Sequence, residues 1–222
     1  MKNKVNNIFD SEPLTDKVIV LDIDETLAHT NENSDSYINM MIFTSNRSLL
    51  YRERVYRFML DDFDDVGSGK KISCWGTERP YVHEFITFCF NYFRYVVVWS
   101  AGRRSYVYTM VDILFKHHQR PHLILTYDDL VTINGIKTKP LSVVSNIIHI
   151  DINKIWLLDD KPDINFMSNP NNGISIPEYS PGETHDELLK NDKHLSRLMK
   201  WLNRLGEIED VREVDTSKIF DE

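Results

Sequence analysis

Lys17-Val-Ile-Val-Leu-Asp22-Ile-Asp24-Glu-Thr26 runs from a nearly continuous β-branched apolar segment into two carboxylates one residue apart. A run apolar on both parities is the pattern of a strand buried on both faces, as in a parallel sheet. Tyr95-Val-Val-Val-Trp-Ser100 and Ile155-Trp-Leu-Leu-Asp159 repeat it, and Leu123-Ile-Leu125 is a shorter version. Helical patterns lie between them. Pro80 suits a first helical turn, with Val82, Phe85, Ile86, Cys89 and Phe93 on one stripe. Val107, Met110, Val111 and Leu114 mark a second helix, the stretch from Lys139 to Ile148 a third, and Leu195 to Leu205 a last one. Strands alternating with helices predict an α/β fold, a Rossmann-like, mainly parallel sheet with helices on both faces.

Residues 30–79 break the rhythm. Segments 37–43, 54–60 and 71–75 read as short strands, with Gly67-Ser-Gly69 as the clearest turn. The expectation is a small antiparallel β insert after the first core strand, within one domain spanning residues 1–222. Residues 1–16 read as an N-terminal arm. Residues 206–222 are acidic and sparsely apolar, and read as a loose tail.

Bulk numbers exclude several classes. A net charge of -8 argues against a protein built to hold a nucleic-acid backbone, which is bound mainly through Lys and Arg. Arg103, Arg104, Lys116 and Arg120 can still form a local basic face, either solvated or in contact with substrate. Cys74 and Cys89 are too few and too far apart for a disulfide framework or a zinc site. The N-terminal stretch has no apolar signal-like segment, and no apolar run reaches the roughly 20 residues that span a bilayer. The expectation is a soluble intracellular protein, nuclear or cytoplasmic, that meets no membrane.

Each polar group of interest falls where a buried strand stops, at the sheet edge where α/β folds bind ligands. Two carboxylates at Asp22 and Asp24, two more at Asp159 and Asp160, the Ser100 hydroxyl and the Lys139 ammonium suit a magnesium ion and a phosphate. A carboxylate nucleophile divides phosphate-ester cleavage into two easier steps through an aspartyl-phosphate. Asp22 is placed for that attack, and Asp24 for protonating the leaving oxygen and then activating water. Hard oxygens from Asp22, Asp24 (through its carbonyl), Asp159 and Asp160 match the ligands magnesium prefers. Ser100 and Lys139 would hold phosphoryl oxygens, and Thr26 is counted with them.

The order Val18-Ile-Val-Leu-Asp-Ile-Asp-Glu-Thr-Leu27, Trp99-Ser-Ala-Gly102, Lys139 and Leu157-Leu-Asp-Asp-Lys-Pro162 resembles the haloacid dehalogenase superfamily of aspartate-nucleophile phosphatases. His29 and Arg79-Pro-Tyr-Val-His-Glu-Phe85 place the likeness with the RNA polymerase II C-terminal-domain (CTD) phosphatases, the small CTD phosphatase or NLI-interacting-factor-like domain. The resemblance implies the same roles for Asp22, Asp24, Ser100, Lys139, Asp159 and Asp160. It also implies Mg2+ as cofactor and a phosphoserine or phosphothreonine protein as substrate. An insert that shapes a substrate pocket is implied as well, with Tyr56, Phe58 and Trp75 as wall candidates. Tyr127 stands where such phosphatases carry an arginine that contacts substrate, so Arg103 and Arg104 are the candidates to replace it. Alternatives are another phosphoprotein, a small metabolite, a polynucleotide end, or a non-catalytic binding module of the same fold.

His117, His118 and His122 read as helix-end caps rather than a metal site. The acidic run from Asp61 to Asp65 reads as a solvated turn, lacking EF-hand spacing.

Overall fold

The computed structural model describes residues 12–32, 34–60 and 71–221. In chain order the first elements are β1 (Val18–Leu21), β2 (Ala28–Asn31), α1 (Ser34–Asn39), β3 (Val55–Leu60), β4 (Ile72–Glu78) and α2 (Val82–Tyr92). Next come β5 (Tyr95–Trp99), α3 (Arg104–Leu114), β6 (Leu123–Leu125), β7 (Val131–Ile133), β8 (Ile136–Thr138) and α4 (Ser142–Ile148). The chain continues with β9 (Ile155–Asp159), α5 (Pro162–Asn165), β10 (Gly173–Ser175), α6 (His185–Leu189) and α7 (His194–Leu202).

The core is a five-stranded sheet in the order β10-β9-β1-β5-β6, with every neighbouring pair parallel. Alternation along each strand sends side chains to both faces. Ile19, Leu21, Val96, Val98 and Leu158 pack on one side with α2, α3 and α7. Val18, Val20, Val97, Trp99 and Leu157 pack on the other with Leu141 and Val144 at the start of α4. This doubly covered sheet is why the sequence runs are apolar on both parities. β1 lies between β9 and β5, so Asp22, Ser100 and Asp159 come together at one edge.

The antiparallel insert exists, but its strands differ from expectation. Its order is β2-β4-β3. Residues 37–43 do not form a strand; α1 occupies their first part. Tyr37 and Met40, three positions apart, are buried while Ile38 and Met41 are exposed; beyond the helix Ile42 is buried and Phe43 exposed. The third strand is instead β2, which follows directly from the Asp22–Thr26 loop. Gly76 of β4 passes so close to the Tyr56 ring that a Cβ there would sit 2.5 Å from it. Gly67-Ser-Gly69, the Asp61–Asp65 run and most of the N-terminal arm lie outside the described residues.

Three other expectations are corrected. Pro80 precedes α2 by two positions, and Tyr81 enters the helix in the left-handed region at φ 68°. The helix expected from Lys139 begins at Ser142, and Lys139 is delivered by the β7–β8 hairpin. Asn134 and Gly135 both take positive φ at its tip, the geometry of a tight hairpin turn.

The loose tail is the third. Val211 is fully buried, Ile219 is 7 % exposed, and both join the core face that carries α7. Thr216 donates to Gly173 O at 3.1 Å and Arg197 to Phe220 O at 3.2 Å. Deleting residues 207–222 should therefore lower the unfolding free energy by about 3–5 kcal/mol, the burial of two aliphatic side chains. A urea midpoint equal to that of the full chain would contradict this packing.

Candidate active site

At the centre of the sheet edge, two carboxylates hold one ammonium, and a third carboxylate, Asp160, lies beside them. The Lys139 Nζ donates to Asp22 Oδ1 and, at 2.7 Å, to Asp159 Oδ2. Lys139 is 1 % exposed, Asp22 6 % and Asp159 not at all. One oxygen each from Asp22, Asp159 and Asp160 lies within 4.8 Å of the others, the only such group of three potential ligands among the described residues. Burial pushes the Asp22 carboxyl well above the usual range, and Asp159 and Asp24 repel its charge further, against the pull of Lys139. Burial works to lower the Lys139 ammonium, but Asp22 and Asp159 outweigh it and raise it. The contacts set one ammonium against the two carboxylates of Asp22 and Asp159, with Asp160 close by. Three hard oxygens with uncompensated charge fit a divalent cation such as Mg2+.

Asp24 points away from that cluster. Its Oδ2 accepts from Ser100 Oγ at 3.1 Å, and its Oδ1 accepts from the Tyr106 hydroxyl. Burial raises the Asp24 carboxyl despite both donors. Two carboxylates from one loop thus sit in different surroundings, one beside an ammonium and one among hydroxyls. That separation is how acid and nucleophile roles divide. Ser100 also accepts from Gly102 N–H at 3.0 Å, which fixes its rotamer.

The loop between the two carboxylates and β2 is tightly held. Glu25 takes φ 57°, an uncommon value for a non-glycine residue. Its N–H donates to Ala28 O at 2.8 Å and its carbonyl accepts from Tyr179 N–H at 2.7 Å. Behind it, the fully buried Arg79 donates to Thr26 O at 3.0 Å, to Pro177 O at 2.7 Å and to Asp192 Oδ2 at 2.8 Å.

The fate of the remaining sequence candidates is mixed. Thr26 is fully buried and its hydroxyl donates to Asp160 Oδ1 at 3.3 Å, so the side chain positions a carboxylate rather than facing a phosphate. Trp75 is 1 % exposed and packs 5.7 Å from Tyr37 on the far face of the insert. Its neighbour Cys74 is the residue on the site side, where burial pushes its thiol up to about 11. Trp75 therefore lines no groove. Tyr56 and Phe58 stack at 6.1 Å on the core side, with Phe58 6.1 Å from Tyr106. Arg103 lines a cavity of about 200 Å³ together with Asp24, Glu32, Cys74, Gly102 and Tyr106. Arg104 is exposed on the first turn of α3 and is not part of that lining. Tyr127 N–H donates to Gly102 O at 2.9 Å, which places its ring beside Arg103.

Three residues went unrecognised as site residues in the sequence. Tyr106 continues the α3 stripe one turn before Met110 and holds Asp24. Asn165 donates to both oxygens of Asp159 at 2.8 Å from the end of α5. Arg79 lies in a motif noted above, but its burial has no local sequence signature. The histidines do not converge: His118 meets His83 at 3.0 Å, whereas His122 accepts from Val96 N–H. No helix of the described residues is long and apolar enough to cross a membrane.

Comparison with known proteins identifies the family and the fold. The model of the NLI interacting factor-like phosphatase family matches residues 17–212. The CTD nuclear envelope phosphatase 1 homolog of Caenorhabditis elegans is 27 % identical over 205 residues, 89 % of this chain and 70 % of that protein. The ubiquitin-like domain-containing CTD phosphatase 1 of Rattus norvegicus is 25 % identical over 146 residues, 62 % of this chain. The chain spans 45 % of the length of that relative. The solved structure of Fcp1, an essential RNA polymerase II CTD phosphatase, superposes with a TM-score of 0.64 at 18 % identity, covering 85 % of this chain and 61 % of that one. The fold is shared with that structure, and the chain belongs to the NLI interacting factor-like phosphatase family.

Proposed function

We propose that this protein is a magnesium-dependent phosphatase for phosphoserine or phosphothreonine in proteins, of which the polymerase C-terminal domain is the first to test. The observation that carries the reading is the Asp22–Lys139–Asp159 cluster, with Asp160 beside it and Asp24 held apart by Ser100 and Tyr106. Relatives that bear the name CTD phosphatase support the substrate class. A non-catalytic module of the fold would have no need for all these groups in register.

Asp22 Oδ attacks phosphorus and the bond to the seryl or threonyl oxygen breaks, leaving an aspartyl-phosphate. Asp24, in the acid form that its burial favours, gives its proton to the departing oxygen. As carboxylate it then takes a proton from water, which attacks phosphorus and restores Asp22. Lys139 and Ser100 bind the phosphoryl oxygens as charge spreads over them. Asn165 and Thr26 hold Asp159 and Asp160 in place. A bound Mg2+, held by Asp22, Asp159 and Asp160, would supply charge neutralisation and orientation of the phosphate.

The test is hydrolysis of phosphopeptides, including polymerase-tail repeats, with magnesium and with excess chelator. Turnover of phosphoserine and phosphothreonine peptides should need magnesium, and full activity in chelator would overturn the scheme. Asp24→Asn should slow phosphoserine peptides by about 10²–10⁴-fold. Aryl phosphates should be affected less, because their leaving group needs little protonation. Equal losses on both substrates would remove the acid role of Asp24.

A further inference from the structure

Tyr127 is not a bare aromatic at a position where an arginine was expected. The Arg103 guanidinium lies 4.1 Å from its ring centre, and the Lys137 ammonium lies 3.9 Å from the same point. Two long cations are therefore held against one ring. One end lines the cavity of the candidate site and the other lies two residues from Lys139 in the chain. Arg103 lines the cavity that contains Asp24. Lys137 precedes Lys139 by two residues, about 7 Å along an extended chain.

Their charge is poorly compensated. Asp128 approaches Arg103 only to 3.7 Å, and that pair is 41 % and 52 % exposed, a weak contact. Lys137 has no carboxylate within 4.0 Å among the described residues. In a chain of net charge -8, the ring gathers two cations, one of which, Arg103, lines the cavity that holds Asp24. The ring faces supply the attraction that holds them. Because the ring has already ordered both side chains, an arriving anion meets less of the usual entropy cost.

We propose that Arg103, Tyr127 and Lys137 form a second anion subsite. It takes a phosphate or carboxylate about two residues from the scissile phosphoserine or phosphothreonine, given the similar rise of strand and extended peptide. The favoured substrates are multiply phosphorylated or acid-flanked segments. This inference rests on the protein-phosphatase reading of the neighbouring site.

The experiment uses the full chain and peptides with a hydrolysis-resistant phosphonate at the scissile position. A second position, two residues before or after, carries serine, glutamate or phosphoserine, and affinity is read by fluorescence anisotropy. On one side, phosphoserine should tighten Kd by about tenfold over serine. Glutamate should give a smaller gain, and an equal gain would identify general acidic recognition rather than a second phosphate. The increment should shrink with added salt and be largely lost in Lys137→Ala. Tyr127→Leu, which keeps both cations but removes their platform, should weaken it. Equal Kd for all three peptides on both sides, or an increment unchanged in Lys137→Ala, overturns the subsite. Hydrolysis of a singly phosphorylated peptide separates the two readings. Turnover without an increment removes only the subsite. An intact increment without turnover removes the protein-phosphatase reading and leaves the subsite.

Discussion

Under the proposed mechanism, Asp22→Asn should lower turnover of every phosphate ester by at least about 10⁴-fold, because an amide is a poor nucleophile and the covalent route would be lost. The fold should survive, for a physical reason specific to this cluster. Asp22 is a buried carboxyl that burial and two neighbouring acids already drive toward neutrality. Asparagine is nearly the same shape and removes that charge, while Lys139 keeps its 2.7 Å contact with Asp159. In chelator, the variant should unfold at the wild-type temperature or above it, as happens when a site has given up stability for function. Magnesium should raise the wild-type midpoint by mass action and leave the variant nearly unmoved. Near wild-type hydrolysis of an aryl phosphate by Asp22→Asn would remove the nucleophile assignment. A variant that unfolds readily in chelator would show that the charge of Asp22 holds the fold.

The central sheet was legible because strands covered on both faces need apolar residues at every position, and few other structures do. The same strands end in Asp22, Ser100 and Asp159, so the site could be read from where hydrophobicity stops. The insert was less legible. β2 carries His29, Thr30 and Asn31, half-buried polar residues that no apolar run announces. Residues 37–43 are β-rich in composition, yet their first part belongs to α1, with Tyr37 and Met40 buried three positions apart. Trp75 shows how one residue of parity decides a role: Cys74 faces the site and Trp75 faces away. Val211 and Ile219 lie too far apart to form a pattern, so the packing of the last segment depends on tertiary contacts alone. The pairing of Lys137 with Arg103 across Tyr127 joins residues from three elements, and only the folded chain brings them together.

Arg79→Met should be the most destabilising single change near the site, at about 3–5 kcal/mol, a large part of a typical domain's stability. Arg79 is a fully buried cation with Asp192 as its ion-pair partner, and Asp192 is only 14 % exposed. Methionine fills similar space but leaves that carboxylate only its His194 contacts, and it leaves the carbonyls of Thr26 and Pro177 without the guanidinium donor. Thr26 lies in the loop that aims Asp22 and Asp24, so activity should fall along with stability. Arg79→Lys keeps the charge but loses the fork that reaches three acceptors, and should fall between the two. Adding Asp192→Leu to Arg79→Met should recover part of the loss, since the buried charge that has lost its guanidinium partner then disappears. The pH dependence gives an independent reading. Burial tends to raise the Asp192 carboxyl, but the hydrogen bond and charge of Arg79, followed by hydrogen bonds from His194, outweigh it and hold it below the ordinary value. A depressed folded pKa contributes stability that is present above the unfolded value, near 3.9, and lost as pH falls through the folded one. Urea midpoints of the wild type should therefore drop as pH falls below about 4, and this acid limb should be shallower in Arg79→Met. Identical limbs in the two proteins would mean that Arg79 does not set the titration of Asp192.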